Sequence, residues 1–394
     1  MPPPLMSSRV CLLSLVALVL ATSCGNISAA CACPFCSAPT LTLAEQFAQS
    51  DAVVLVAWVG AIKSEKDKPG TTTYSVVEAV RDPLKLHGKG TEIVLLGYRA
   101  GKAGDLSLLL GTKGTKIDWA PPIDVTETVF NYMMQAPAPD APVQTRLQYF
   151  LKFLEYPEPT IATDAYAEFA NAPYKDIVPL TDKFPRDKLR QWLASKETPE
   201  SRLGLYGMLL GLCGEPEDAK LMEARIADNP SPQSVRLGID GVMGGYLLLT
   251  REKGLEVLER TKMADRKVPF GETYAAMQAI RFMWTYGDGR IPPDRLRASL
   301  RILLDRPELA DFVITDLSRW KDWSIADRLV LLFNDPAYDI PSVKRAIVRY
   351  FLACAKDMKV GETPPAHVTT AKKHIEALRK QDPKIVRQAE QYPI

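Results

Sequence analysis

The sequence predicts a two-part molecule of mixed β and α class: a small β barrel or sandwich followed by an all-helical array. Three observations carry this expectation. Short β-branched and aromatic runs parted by Gly, Lys, Asp and Pro occupy residues 51–111, apolar residues recur at helical spacing from Pro122 onward, and a stretch starting at Arg202 recurs at Arg236. Runs of the first kind fit a pleated, half-buried surface, and those of the second kind fit one face of a helix.

The first thirty residues stand apart from both. Arg9 is the only charge ahead of "VCLLSLVALVLA" (Val10 to Ala21), which has the length of a signal-peptide core and is well short of the ~20 residues a spanning helix needs. "SAA" (Ser28 to Ala30) fits cleavage after Ala30, so residues 1–30 are expected to be a signal peptide and the mature chain to open on Cys31. A competing reading cleaves before Cys24 in "LATSC" and lipidates that cysteine. The first makes the protein exported, periplasmic or secreted; the second makes it a membrane-anchored lipoprotein. No later stretch is apolar enough to span, so no transmembrane segment is expected in the mature chain.

The β domain is expected over residues 31–121. A helix precedes its strands: in "LTLAEQFAQS" Thr42 can cap, and Leu43 and Phe47 share a face. Then come "DAVVLVAWVGA", "TTTYSVVEAVRD", "TEIVLLG" and "DLSLLLG", each bounded by turn residues. The helical domain is expected over residues 122–394. "VTETVFNYMMQA" is its first helix, "PAPDAP" (Pro137 to Pro142) is a stiff link, and Leu147, Phe150, Leu151 and Leu154 lie on one face of the next helix. The change of style at Pro121 and Pro122 predicts two separable domains joined between Trp119 and Pro142.

"RLGLYGMLLG" and "RLGIDGVMGG" coincide at Arg, Leu and three glycines with an offset of 34 residues (202 to 236). A period of that size marks stacked helical hairpins, in which each unit buries its apolar face against its neighbours. Gly204, Gly207, Gly211, Gly238, Gly241 and Gly245 each cost roughly 1 kcal/mol against Ala inside a helix. Close helix–helix contact, rather than a ligand site, is the expected return.

Forty-nine Lys and Arg against 47 Asp and Glu leave no basic excess, which speaks against a nucleic-acid partner. Only His87, His367 and His374 are present, and no H-E-x-x-H, G-x-S-x-G or Walker loop occurs. No enzyme activity and no cofactor are expected. Cys213 and Cys354, each within an apolar helical run, read as small buried hydrophobes.

That leaves "CACPFC", Cys31 to Cys36. Cys33-Pro-Phe-Cys36 matches the C-x-x-C redox pattern and looks like its glutaredoxin version, but the strand that should precede it is the export signal. Cys31, Cys33 and Cys36 together are candidates for capture of a soft metal, Cu(I) or Zn, or of a partner. In an oxidising compartment Cys33 and Cys36 are expected to form a local disulfide, leaving Cys31 as the terminal residue.

The β region resembles the netrin-like module, the OB-type barrel of the tissue inhibitors of metalloproteinases. The likeness rests on Cys31-Ala-Cys33, on "FAQSDAVVLVAWV" with Ser50-Asp51 entering an alternating run, and on "YSVVEAVRDPLK" and "DLSLLLG". It implies that the α-amine and carbonyl of Cys31 chelate a protease zinc ion. The chain departs from that family in having no cysteine between Cys36 and Cys213, and Ala48 where the family carries a third cysteine. The remainder resembles HEAT-type helical repeats, and the combination resembles secreted bacterial proteins without an assigned activity. The expected function is that of an exported, non-enzymatic protein binding a protein or peptide partner through the solenoid and the OB-like module. Metalloprotease inhibition, thiol-redox action and soft-metal binding are the alternatives.

Overall fold

The computed structural model describes residues 32–36, 41–66, 68–228, 235–359, 361 and 363–392. The expected signal peptide, the cleavage residue Ala30, the lipidation candidate Cys24 and the terminal Cys31 lie outside them.

Helix α1 (Leu43–Gln49) starts where the sequence places it: the Thr42 hydroxyl accepts from the Glu45 N–H while the Glu45 carboxylate accepts from the Thr42 N–H. An antiparallel sheet follows, made of β1 (Ala52–Ile62), β2 (Thr71–Arg81), β3 (Glu92–Leu96), β4 (Leu106–Lys113), β5 (Ile117–Trp119) and β6 (Ile123–Asp124). The order is β3-β2-β1-β4-β5, and β6 pairs with β4 beyond β5. Register slips between Val53 and Val54, Leu55 and Val56, and Trp58 and Gly60 bend the long β1–β2 hairpin, and the sheet curls into a barrel-like shape. The strands therefore run to Asp124, past the expected limit at residue 121. Pro121 and Pro122 interrupt the ladder without ending it, because Ile123 pairs again with Leu108.

Along the first half of β1 and most of β4 the curled sheet buries both faces. Val54, Val56, Tyr74, Val76, Ile93 and Leu109 form a small core inside the curl. Val53, Leu55, Leu108 and Leu110, one residue out of phase, join a much larger core that continues into the helices through Val129, Phe130 and Leu147. The core therefore crosses the predicted junction between Trp119 and Pro142 without a break.

The helices are α2 (Glu127–Gln135), α3 (Val143–Phe150), α4 (Pro159–Asn171), α5 (Tyr174–Ile177), α6 (Arg186–Ala194), α7 (Glu200–Cys213), α8 (Pro216–Ala227), α9 (Ile239–Thr250) and α10 (Glu252–Leu258). They continue as α11 (Phe270–Tyr286), α12 (Pro293–Ile302), α13 (Ala310–Arg319), α14 (Ala326–Asn334), α15 (Pro341–Cys354), α16 (Ala366–Gln381) and α17 (Pro383–Gln391). Helices α7, α9 and α11 pack successively side by side, as do α13, α15 and α17, while α6 and α8 cover α7 and α9 from behind.

The repeated glycines lie on the α7–α9 seam. A Cβ at Gly241 would sit 2.4 Å from the Gly204 Cα, and one at Gly211 would sit 2.4 Å from the Gly245 Cα. Positions that ascend together along both helices meet, so α7 and α9 run parallel, backbone against backbone. Ion pairs span a similar distance in sequence: Arg186 to Asp218, Arg236 to Glu272, and Arg281 to Asp316. The acidic partner is buried in each case, which confines these charges to one geometry.

Candidate functional site

The sheet does not close on itself. Its edge strands, β3 and β5, face each other across a cleft of about 700 Å³, whose rim is completed by Gly97, Tyr98 and Arg99 and by Pro121 and Pro122. Alternation places Ile93 and Leu95 toward the inner core and leaves Val94 59% and Leu96 81% exposed. Leu96 pairs with Thr71, which pairs with Ile62, so these three side chains form one outward row across three strands. Ile62 is exposed as well, and Tyr98 adds a partly exposed ring with Lys63 above it. Exposed edge strands in proteins are usually blunted by charge, Pro or a bulge. β3 reads Glu-Ile-Val-Leu-Leu, with its one charge at the start.

Tyr74, from the middle of β2, lines this cleft. Its residue is 1% exposed, and its hydroxyl has no hydrogen-bond partner among the described residues. Burial pushes the phenol above its ordinary range; Arg99 draws it down and Asp124 pushes it up. An unsatisfied buried hydroxyl costs about 1–3 kcal/mol. Tyr74 also lines a second cleft of about 320 Å³, with Trp58, Ser107 and Asp124. Between the two clefts the Arg99 guanidinium donates to the Pro122 carbonyl at 2.7 Å and to Asp124 at 2.6 Å, while Ser107 donates to the other Asp124 oxygen. The Arg99 charge is thus matched within the protein. The seam offers two strand edges, an apolar rim and one buried hydroxyl.

The cysteines singled out in the sequence lie elsewhere. Cys33 and Cys36 are joined by a disulfide, and their loop packs on the helical array rather than on the strands it precedes. The Cys33 N–H donates to the Ala170 carbonyl at 3.1 Å, at the end of α4. Phe35 is buried, its ring 4.7 Å from that of Phe282 in α11, and the Phe282 ring in turn lies 5.2 Å from that of Tyr174. Two glycines make the room: a Cβ at Gly244 would fall 2.5 Å from the Phe35 ring, and one at Gly204 would fall 2.6 Å from its carbonyl oxygen. Burying a Phe contributes about 1.5–3 kcal/mol. Fixing a backbone costs about 1–2 kcal/mol per residue, so the aromatic contact alone does not offset the ordering of the loop. The four-residue disulfide ring supplies part of the difference, about 2 kcal/mol, by restricting the free chain in advance.

With both sulfurs bonded to each other, the three-thiolate set of Cys31, Cys33 and Cys36 is not assembled in this state. No group of three or more His, Cys, Asp or Glu that could hold a metal occurs among the described residues. Burial raises the thiols of Cys213 and Cys354 to about 11, so both stay protonated and unreactive near neutral pH. Sequence reasoning missed Tyr74 and Phe35. Tyr74 shows in the sequence only as one inward position of an alternating strand, and a receptor assembled from α7, α9 and α11 leaves no local trace beside Phe35.

No family model, curated protein or solved structure matches this chain.

Proposed function

We propose that this is an exported, non-enzymatic binding protein whose OB-like module takes up an extended segment of a partner polypeptide along the open β3 edge, beside a HEAT-like stack of helices. The observation that carries this reading is the open seam: an apolar edge strand with no further strand paired to it among the described residues faces a second edge across a cleft of about 700 Å³. An added strand gains main-chain hydrogen bonds from the edge, and alternate side chains contact Val94 and Leu96. Its other side chains point to the floor, where the Tyr74 hydroxyl can donate.

A random peptide library panned on the wild type and on Val94→Asp/Leu96→Asp tests this. Both residues are exposed, so the double variant should keep the wild-type melting temperature. The expected result is enrichment of extended, apolar-alternating peptides on the wild type and their loss on the variant. Equal enrichment on both would remove β3 from the reading.

A further inference from the structure

We propose that the Cys33–Cys36 disulfide is a site of thiol–disulfide exchange, and that its reduction withdraws Phe35 from an aromatic receptor between α7, α9 and α11. This inference is independent of peptide binding at the β3 seam.

Gly244 supplies the first ground. The other seam glycines are explained by the 34-residue register, in which Gly204, Gly207 and Gly211 answer Gly238, Gly241 and Gly245. Gly244 answers Leu210 and has no such role. What a side chain at Gly244 would strike is the Phe35 ring, then that of Phe282. The helical array is therefore shaped to receive this loop.

The loop is held by few bonds. Its described backbone hydrogen bonds are Cys33 to Ala170 and the turn from Cys36 to Cys33, so presentation of the ring depends on the covalent closure around Pro34 and Phe35. Opening that ring returns conformational freedom to the chain and leaves the burial of Phe35 and Cys33 and the one hydrogen bond to Ala170 to oppose it.

The two cysteines also differ in exposure. Cys33 is 5% exposed, whereas Cys36 is half-buried and so presents the sulfur an incoming thiolate reaches first. A dithiol reductant attacks the Cys36 Sγ, the S–S bond breaks, and Cys33 leaves as a thiolate and takes up a proton. The second thiol of the reductant then displaces Cys36 from the mixed disulfide. The cysteine pair gains two electrons and two protons, and the dithiol becomes a disulfide.

The test uses the full chain under native conditions, with dithiothreitol as the dithiol. Cysteine alkylation is read by peptide mass, beside amide exchange over residues 242–248 and 279–286 and the uptake of an apolar dye. Labelling of Cys33 and Cys36, with Cys213 and Cys354 protected, should coincide with exchange at least about tenfold faster in both segments and with dye binding. Phe35→Ala, disulfide intact, should bind dye without reductant. The proposal falls if both cysteines label while exchange and dye binding stay unchanged. It also falls if the disulfide resists the dithiol until Cys213 and Cys354 label too.

Discussion

A Cβ at Gly245 would lie 1.9 Å from the Gly207 carbonyl oxygen, a backbone atom that cannot swing aside. Gly245→Ala is therefore expected to lower the unfolding free energy by about 2–3 kcal/mol through overpacking of the α7–α9 seam. Gly271, also helical but with nothing within 4 Å of its Cβ position, should respond oppositely: Gly271→Ala is expected to raise stability by about 0.5–1 kcal/mol. Urea denaturation of the two variants side by side checks the opposite signs, and equal effects would show that the seam contact does not govern them. Tyr74 calls for a two-part measurement. Tyr74→Phe removes an unsatisfied buried hydroxyl and should stabilise the isolated protein by about 1 kcal/mol. It should also weaken peptides selected on the wild type, because that hydroxyl then has nothing to give them. Stabilisation without loss of affinity would assign the residue to the fold alone.

Among the elements, α1 is anchored to a buried carboxyl of α4. Its first N–H, from Leu43, is accepted by Asp164 of α4 at 2.6 Å, and the same carboxylate accepts from the Tyr132 hydroxyl of α2 at 2.8 Å. One turn along α4, Glu168 pairs with Arg146 of α3. Burial raises the pKa of both carboxyls and outweighs the hydrogen bonds and the Arg146 charge, which pull down. A carboxyl with a raised folded-state pKa stabilises fully below its unfolded value, and that contribution is lost as pH rises through the folded value. Stability relative to Asp164→Asn/Glu168→Gln should thus decline as pH rises above about 4, and chemical denaturation at stepped pH would show it. A flat difference would mean that water reaches the pair. Much of this level was legible in advance. Thr42 as cap, the four longer strands, and the burial of Leu147, Phe150, Leu151 and Leu154 follow from local periodicity, although α3 ends at Phe150 and a 3-10 turn (Leu151–Phe153) carries the chain on to Leu154 where one continuous helix was expected. β5 and β6 escaped because strands of three and two residues have no period to detect. The buried acids escaped because Asp164 and Glu168 look like any other surface i, i+4 pair until α1, α2 and α3 close over them.

For the molecule as a whole, the continuous core from Val53 and Leu108 to Val129 and Leu147 bears directly on the domain division read from sequence. Change of secondary-structure style locates where strands give way to helices; it does not locate where contacts stop. Calorimetry of the full chain is expected to give one cooperative transition, and residues 145–394 expressed alone should be less stable than the same helices in the whole protein. Two resolved transitions would restore a separable helical domain. The docking of Phe35 has a further consequence, in the order of synthesis. The loop is synthesised well ahead of its partner: Phe282, against which it rests, follows some 247 residues later (35 to 282). Its disulfide is local and can close at once, but its seat exists only after α11 is made. Such long-range closure belongs late in assembly. Phe35 thus takes its place only after α7, α9 and α11 have been built.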